Sequence, residues 1–140
     1  MEPHDILLVD DDAADARIFE RALGEASSRA RTYWVATGDE AIEFLRQRGR
    51  FQKTGPVKIV VLDLHLQGQG GLETLKQIKS DPNLSLTPII VLSTSDWQSE
   101  IDLAYSLGAN ASNGLIASYS VKSASARRGS KLLTGLLTQP

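Results

Sequence analysis

The chain has 140 residues, 41% of them hydrophobic, which suffices for the core of one ordinary domain. Fifteen basic against seventeen acidic side chains leave a formal net charge of −2, which argues against capture of nucleic acid or an anionic membrane by the overall field. Cysteine is absent, excluding disulfides, thiolate metal sites and cysteine nucleophiles, and no apolar run nears the ~20 residues of a membrane span. The polar start, Met1-Glu2-Pro3-His4-Asp5, does not read as a signal peptide. One cytoplasmic domain over residues 1–140 is therefore expected, delivering its effect through its own surface.

Ile6-Leu7-Leu8-Val9 is a continuous apolar run of the kind buried on both faces of a sheet, halted by Asp10-Asp11-Asp12. Asp12 is placed to cap a helix in which Ile18 and Ala22, and Phe19 and Leu23, recur four residues apart, with Arg17, Glu20 and Arg21 facing water. Tyr33-Trp34-Val35-Ala36 reads as a second strand, followed through Thr37-Gly38-Asp39 by a helix with Ala41, Ile42 and Leu45 on one side. The basic stretch from Arg46 to Pro56 reads as a loop.

Val57 to Leu62 is a third strand ending at Asp63, and Gly68-Gln69-Gly70-Gly71 then breaks the chain before a helix carrying Leu72, Leu75 and Ile78. Pro88 opens a fourth apolar run, Ile89 to Leu92, which stops at Ser93 before a helix around Ile101, Ala104, Tyr105 and Gly108. Beyond Asn110 the residues become small and polar; a fifth strand is placed near Ser118 to Val121, and Leu132, Leu133, Leu136 and Leu137 mark one face of a last helix. Alternating strands and helices at this spacing specify an α/β fold, a doubly wound parallel sheet of order 2-1-3-4-5 with helices on both faces.

In such a sheet, ligands gather at the carboxyl ends of the strands near the switch in strand order, and strand one lies beside strand three. Asp10, Asp11 and Asp63 are thus expected to converge. Taken singly, each reads as a helix cap or a solvated strand end; taken together, they repel one another and a divalent cation relieves the repulsion. An all-oxygen donor set favours a hard ion such as Mg2+, which commonly keeps waters and a phosphate oxygen as its remaining ligands. At the end of strand four, Ser93 offers a hydroxyl for a phosphoryl oxygen, or for a helix end. Lys122 offers a point positive charge, although an exposed lysine is most often only solvated.

These residues resemble the receiver domains of two-component response regulators. The resemblance is carried by ILLVDDD at 6–12, IVVLDLHLQGQGGLETL at 59–75, PIIVLSTSD at 88–96 and LGAN at 107–110. It implies that Asp63 is the phosphoacceptor, that Asp10 and Asp11 form the acidic metal pocket, and that Ser93 is the switch hydroxyl. It further implies Asp11, Asp63 and the backbone carbonyl of His65 as direct Mg2+ ligands, Lys122 as the active-site lysine and Tyr119 as the aromatic switch residue. The implied function is that of a phosphorelay receiver, not a conventional enzyme, loaded by a sensor histidine kinase. The IKSDPNLSLTPIIVLSTS block is most similar to stand-alone receivers serving phytochrome-type kinases. Output would pass to a downstream protein or a second copy through the fourth helix, fifth strand and last helix.

The chain departs from the family pattern at several places. Gln67 stands at a common proline position, Gly70 at a frequently acidic one, His65 where a small polar residue is usual, and Ser123 where a proline normally follows the lysine. The interval from Ser93 to Lys122 is several residues too long, the excess lying in residues 111–117; counted without a gap, the lysine position falls on Leu115. Either Ser118-Tyr119-Ser120-Val121-Lys122 is the fifth strand after an inserted loop, or the distal end is remodelled and lacks a functional lysine. Two other functions compete. One is a phosphorylation-independent pseudo-receiver that binds or dimerises. The other is a Mg2+-dependent phosphatase with Asp10 as nucleophile, disfavoured because Asp12 is better spent as a helix cap.

Overall fold

A computed structural model of the chain describes residues 4–26, 29–51, 57–64, 66, 70–93 and 114–118. Five strands form one parallel sheet: β1 (His4–Val9), β2 (Ala30–Val35), β3 (Ile59–Asp63), β4 (Ile89–Ser93) and β5 (Gly114–Ser118), in the spatial order β2-β1-β3-β4-β5. Three α-helices are described, α1 (Ala13–Ala26), α2 (Gly38–Leu45) and α3 (Gly71–Ser80), with a short 3-10 turn at Gly49–Phe51 inside the stretch expected to be a loop. The order and the parallel pairing are those expected from the alternation of apolar runs and amphipathic segments. Among the described residues, no helix is long and apolar enough to cross a membrane.

The central strands are apolar except at their ends because both of their faces are covered. Leu7, Val9, Val60, Leu62, Ile89 and Val91 point to one core, where they meet Ala41, Ile42 and Phe44 of α2 and Leu75 and Ile78 of α3. The alternate residues Ile6, Leu8, Ile59, Val61 and Ile90 face a second core closed by Ala16, Phe19 and Leu23 of α1. This two-sided burial is what forces every ionisable group of the inner strands to a strand end, since a charge inside either layer would be desolvated without compensation.

Local signals start the helices where the sequence places them. The Asp12 carboxylate accepts from the backbone N–H groups of Ala14 at 2.9 Å and Asp15 at 3.1 Å, capping α1. Thr37 caps α2: its hydroxyl oxygen accepts from Glu40 N–H at 3.1 Å, and its O–H donates to the Glu40 carboxylate at 3.2 Å.

Two expectations are corrected. Ile18, placed on the apolar side of α1, is 41% exposed; the buried stripe runs through Ala16, Phe19 and Leu23, spaced three and four apart, and Ile18 lies on its flank. The fifth strand occupies Gly114–Ser118, four residues before the segment expected to form it. Leu115, Ile116 and Ala117 give an apolar run opposite Ile90, Val91 and Leu92 of β4, whereas in Ser118 to Val121 polar serines alternate with Tyr119 and Val121. The helices expected around residues 101–108 and 132–137 lie outside the described residues.

Candidate functional site

The strand register brings the acidic residues to one spot. Val9 of β1 pairs with Leu62 of β3, so the next residue of each strand, Asp10 and Asp63, stand side by side where the ladder ends. Asp10, Asp11 and Asp63 each present a carboxylate oxygen within 4.8 Å of the other two. Asp63 is 4% and Asp10 7% exposed, while Asp11 is half-buried at the mouth. Three carboxylates this close, two just past the end of β1 and one at the end of β3, form an all-oxygen donor set suited to a hard divalent cation. The carboxylates fit such an ion in chemistry and in spacing.

The Asp10 side chain is held locally. Its Oδ1 accepts the backbone N–H of Asp12 at 2.9 Å, so the turn that starts α1 also orients the acid before it. Its backbone is held from the other side: the N–H donates to the Val35 carbonyl at 3.1 Å, and the carbonyl accepts the indole Nε1–H of Trp34 at 2.7 Å. The Trp34 contact could not be read from the sequence. It spans 24 positions and depends on the β1–β2 register that sets Trp34 opposite Leu8.

Asp63 is held by close approach of α3. Gly71 N–H donates to the Leu64 carbonyl at 3.2 Å. A Cβ on Gly71 would lie 2.9 Å from the Leu64 carbonyl carbon and closer still to Leu64 Cα and the Asp63 carbonyl oxygen. Only glycine lets the helix start so near the strand end. Thr74, fully buried one turn on, donates its hydroxyl to the Gly70 carbonyl at 3.1 Å, satisfying a polar group that the apolar surroundings would otherwise penalise. The Gly70-Gly71 pair was visible in the sequence as a break before a helix, but its contact with Asp63 was not.

The backbone of Ser93 ends β4, one residue past Leu92, which pairs with Asp63; its partner across the β4–β5 ladder is Ser118. The five residues of β5 include no lysine. Lys122 lies four positions past the end of β5, and Lys122, Tyr119 and His65 fall outside the described residues.

The sequence matches the response regulator receiver domain over residues 6–112. It is 32% identical over 108 residues to the response regulator Rcp1 of Synechocystis sp., spanning 77% of this chain and 74% of that protein. It is 35% identical over 105 residues to the probable methanogenesis regulatory protein FilR2 of Methanothrix harundinacea, spanning 75% and 67% respectively. Among solved structures, the fold is similar to the phosphorylated cyanobacterial phytochrome response regulator RcpA, with TM-score 0.76, 33% identity and coverage of 96% of this chain and 91% of that one. It is also similar to the Mn2+-bound form of Rcp1, with TM-score 0.79, 26% identity and 99% coverage of both chains. The matched stretch runs from β1 to just short of β5, and with the strand order and the converging carboxylates it makes this chain a member of the response regulator receiver domain family of two-component signalling.

Proposed function

We propose that the chain is the phosphoacceptor of a two-component relay, with Asp63 as the residue that carries the phosphoryl group. The observation that supports this reading is the meeting of Asp10, Asp11 and Asp63 at the carboxyl end of the sheet, within 4.8 Å of one another. The likeness to a phosphorylated phytochrome response regulator and to a Mn2+-bound one points the same way.

The donor in this reading is a phosphohistidine on a sensor histidine kinase, of phytochrome type by analogy with RcpA. An Asp63 oxygen attacks phosphorus in line; the P–N bond breaks, the imidazole nitrogen leaves with the electron pair and is protonated, and an acyl phosphate remains on Asp63. Asp10, Asp11 and Asp63, with the His65 backbone carbonyl, would hold Mg2+, which supplies the positive charge that steadies the phosphoryl oxygens in transfer. Positioning by Gly71 and Asp12 fixes the direction of the attacking and flanking carboxylates, so little reorganisation is left for the transfer step. Ser93 and Lys122 are assigned to the phosphoryl oxygens as hydroxyl donor and point charge. Water later hydrolyses the acyl phosphate and restores Asp63, so the chain turns over its own modification without acting on an independent substrate.

Phosphorylation replaces the Asp63 carboxylate with an acyl phosphate carrying about −1.5 to −2, the figure for Ser, Thr and Tyr phosphates, beside the carboxylates of Asp10 and Asp11. Ser93 is drawn toward the new group and Tyr119 follows, changing the surface carried by β5 and the helices beside it. That surface meets the downstream protein or a second copy of the chain.

The decisive experiment treats the protein with phosphoramidate and Mg2+, traps the product with borohydride and maps it by mass spectrometry. Label on Asp63, lost in Asp63→Asn, is the expected result. The absence of lysine from β5 favours a second reading, a phosphorylation-independent binding or dimerisation module. That reading predicts no trapped product, and the same partner affinity in Asp63→Asn as in the unmodified protein.

A further inference from the structure

We infer that Trp34 is a positioning residue for the cation pocket, its indole N–H fixing the Asp10 carbonyl and through it the Asp10 carboxylate. The inference rests on the proposed cation site and adds to it a residue from the edge strand that contributes no ligand atom.

The β1–β2 ladder ends at the pair Val9 and Val35, and Asp10 extends it by one bond, from its own N–H to the Val35 carbonyl at 3.1 Å. Beyond that point β2 has given way to Thr37, the N-cap of α2 in extended conformation, so regular strand pairing stops just where the site begins. Trp34 supplies a donor at this place: its indole Nε1–H reaches forward along the sheet to the Asp10 carbonyl at 2.7 Å. The peptide groups on both sides of the Asp10 Cα are thereby tied to β2. Together with Asp12 N–H on Oδ1, these bonds hold Asp10 through both its backbone and its carboxylate.

Such restraint matters most for a buried acid in a cluster. Without it, repulsion from Asp11 and Asp63 would push the Asp10 carboxylate outward, and a cation would have to draw it back. Donors that orient metal ligands from outside the coordination shell raise affinity by removing that reorganisation. Trp34 is 43% exposed, so its ring is only partly committed to packing, and it is the hydrogen bond that links it to the site.

The test uses the full chain. Mn2+ affinity is measured by electron paramagnetic resonance for the unmodified protein, Trp34→Phe and Asp11→Asn, with urea unfolding in metal-free buffer as the stability control. Trp34→Phe is expected to weaken Mn2+ binding roughly tenfold, at the low end for partners of metal ligands, while remaining folded in metal-free buffer. In the 15N-labelled unmodified protein, the Trp34 indole resonance, distinguished from that of Trp97 by Trp97→Phe, is expected to move with Mg2+ at the midpoint of binding. Unchanged Mn2+ affinity in folded Trp34→Phe overturns the inference and leaves the cation site standing. If Trp34→Phe does not fold, the indole signal decides, and a resonance unmoved by Mg2+ overturns the inference. An unmodified protein that binds Mn2+ no better than Asp11→Asn overturns the cation site itself and this inference with it.

Discussion

Ser118 is the register partner of Ser93, so the carboxyl end of β5 sets a serine, not a lysine, beside the end of β4. Lys122 comes four residues later. A lysine side chain is long and its point charge acts without strict geometry, so it can serve from beyond a strand end. Lys122→Ala is expected to slow labelling of Asp63 by phosphoramidate by about tenfold or more, as for loss of one charge-stabilising group. An unchanged rate in a quench time course would assign that work to the cation alone.

The carboxylate cluster predicts opposite effects of one substitution with and without metal. In metal-free buffer, Asp11→Asn removes repulsion against Asp10 and Asp63 and is expected to raise stability by about 1 kcal/mol, the scale of two unit charges ~4 Å apart in water. With Mg2+ at about 100 times its dissociation constant, the unmodified protein gains ~2.7 kcal/mol that the variant does not. Urea denaturation with chelator and with Mg2+ should therefore reverse the order of the two proteins.

Gly71→Ala tests the close approach of α3 to the end of β3, where Asp63 stands. The added Cβ has no room against the Leu64 and Asp63 backbone, and neither neighbour is a flexible side-chain end that can swing aside. A loss of about 1–3 kcal/mol is expected, as for overpacking in a core. Displacement of Asp63 should also weaken Mn2+ binding. A stability loss with unchanged Mn2+ affinity would show that the helix start supports the fold without aiming the acid.

Asp81 gives a pH signature far from the site. The Arg46 guanidinium donates to its carboxylate at 2.8 and 3.2 Å, joining the end of α2 to the end of α3, and Asn83 N–H adds a bond at 2.8 Å. The Arg46 hydrogen bond, foremost, holds the Asp81 carboxyl below its ordinary range. A carboxylate with a depressed folded value contributes stability above the unfolded value, about pH 4, and loses it as pH falls through the folded one. Asp81→Asn should therefore be less stable than the unmodified protein at pH 7, the gap closing below pH 4. A gap constant across that range in urea midpoints would remove the ion pair from the account.

Much of this arrangement was legible because it follows from periodicity and caps. Ile6 to Val9, Ile59 to Leu62 and Ile89 to Leu92 are unbroken apolar runs, and a sheet buried on both faces leaves no other place for them. Asp12 and Thr37 announce their helices by residue type alone. Once β1 is set beside β3, the meeting of Asp10 and Asp63 is a matter of counting. Other features were hidden because they arise from three-dimensional packing. Ile18 has the spacing of a core residue but lies on the flank of the stripe that α1 buries. The bond from Trp34 to Asp10 requires strand register, and the steric need for Gly71 requires knowing how near α3 approaches. The fifth strand lies at Gly114–Ser118 and not at Ser118 to Val121, because pairing beside β4 favours the apolar run Leu115-Ile116-Ala117, a preference that depends on which strand is its neighbour.

Every residue of β3 is buried, with β1 and β4 along its edges and packed side chains above and below. The carboxylate at its end is only 4% exposed, with strands on either side and packed layers above and below the strand that carries it. In the proposed relay, a donor bringing a phosphoryl group and a water molecule arriving to remove it would both have to reach this same sheltered oxygen, so a docked donor would also shut out its own undoing. Under that proposal, the lifetime of the mark would be set by whatever covers Asp63 after the donor leaves.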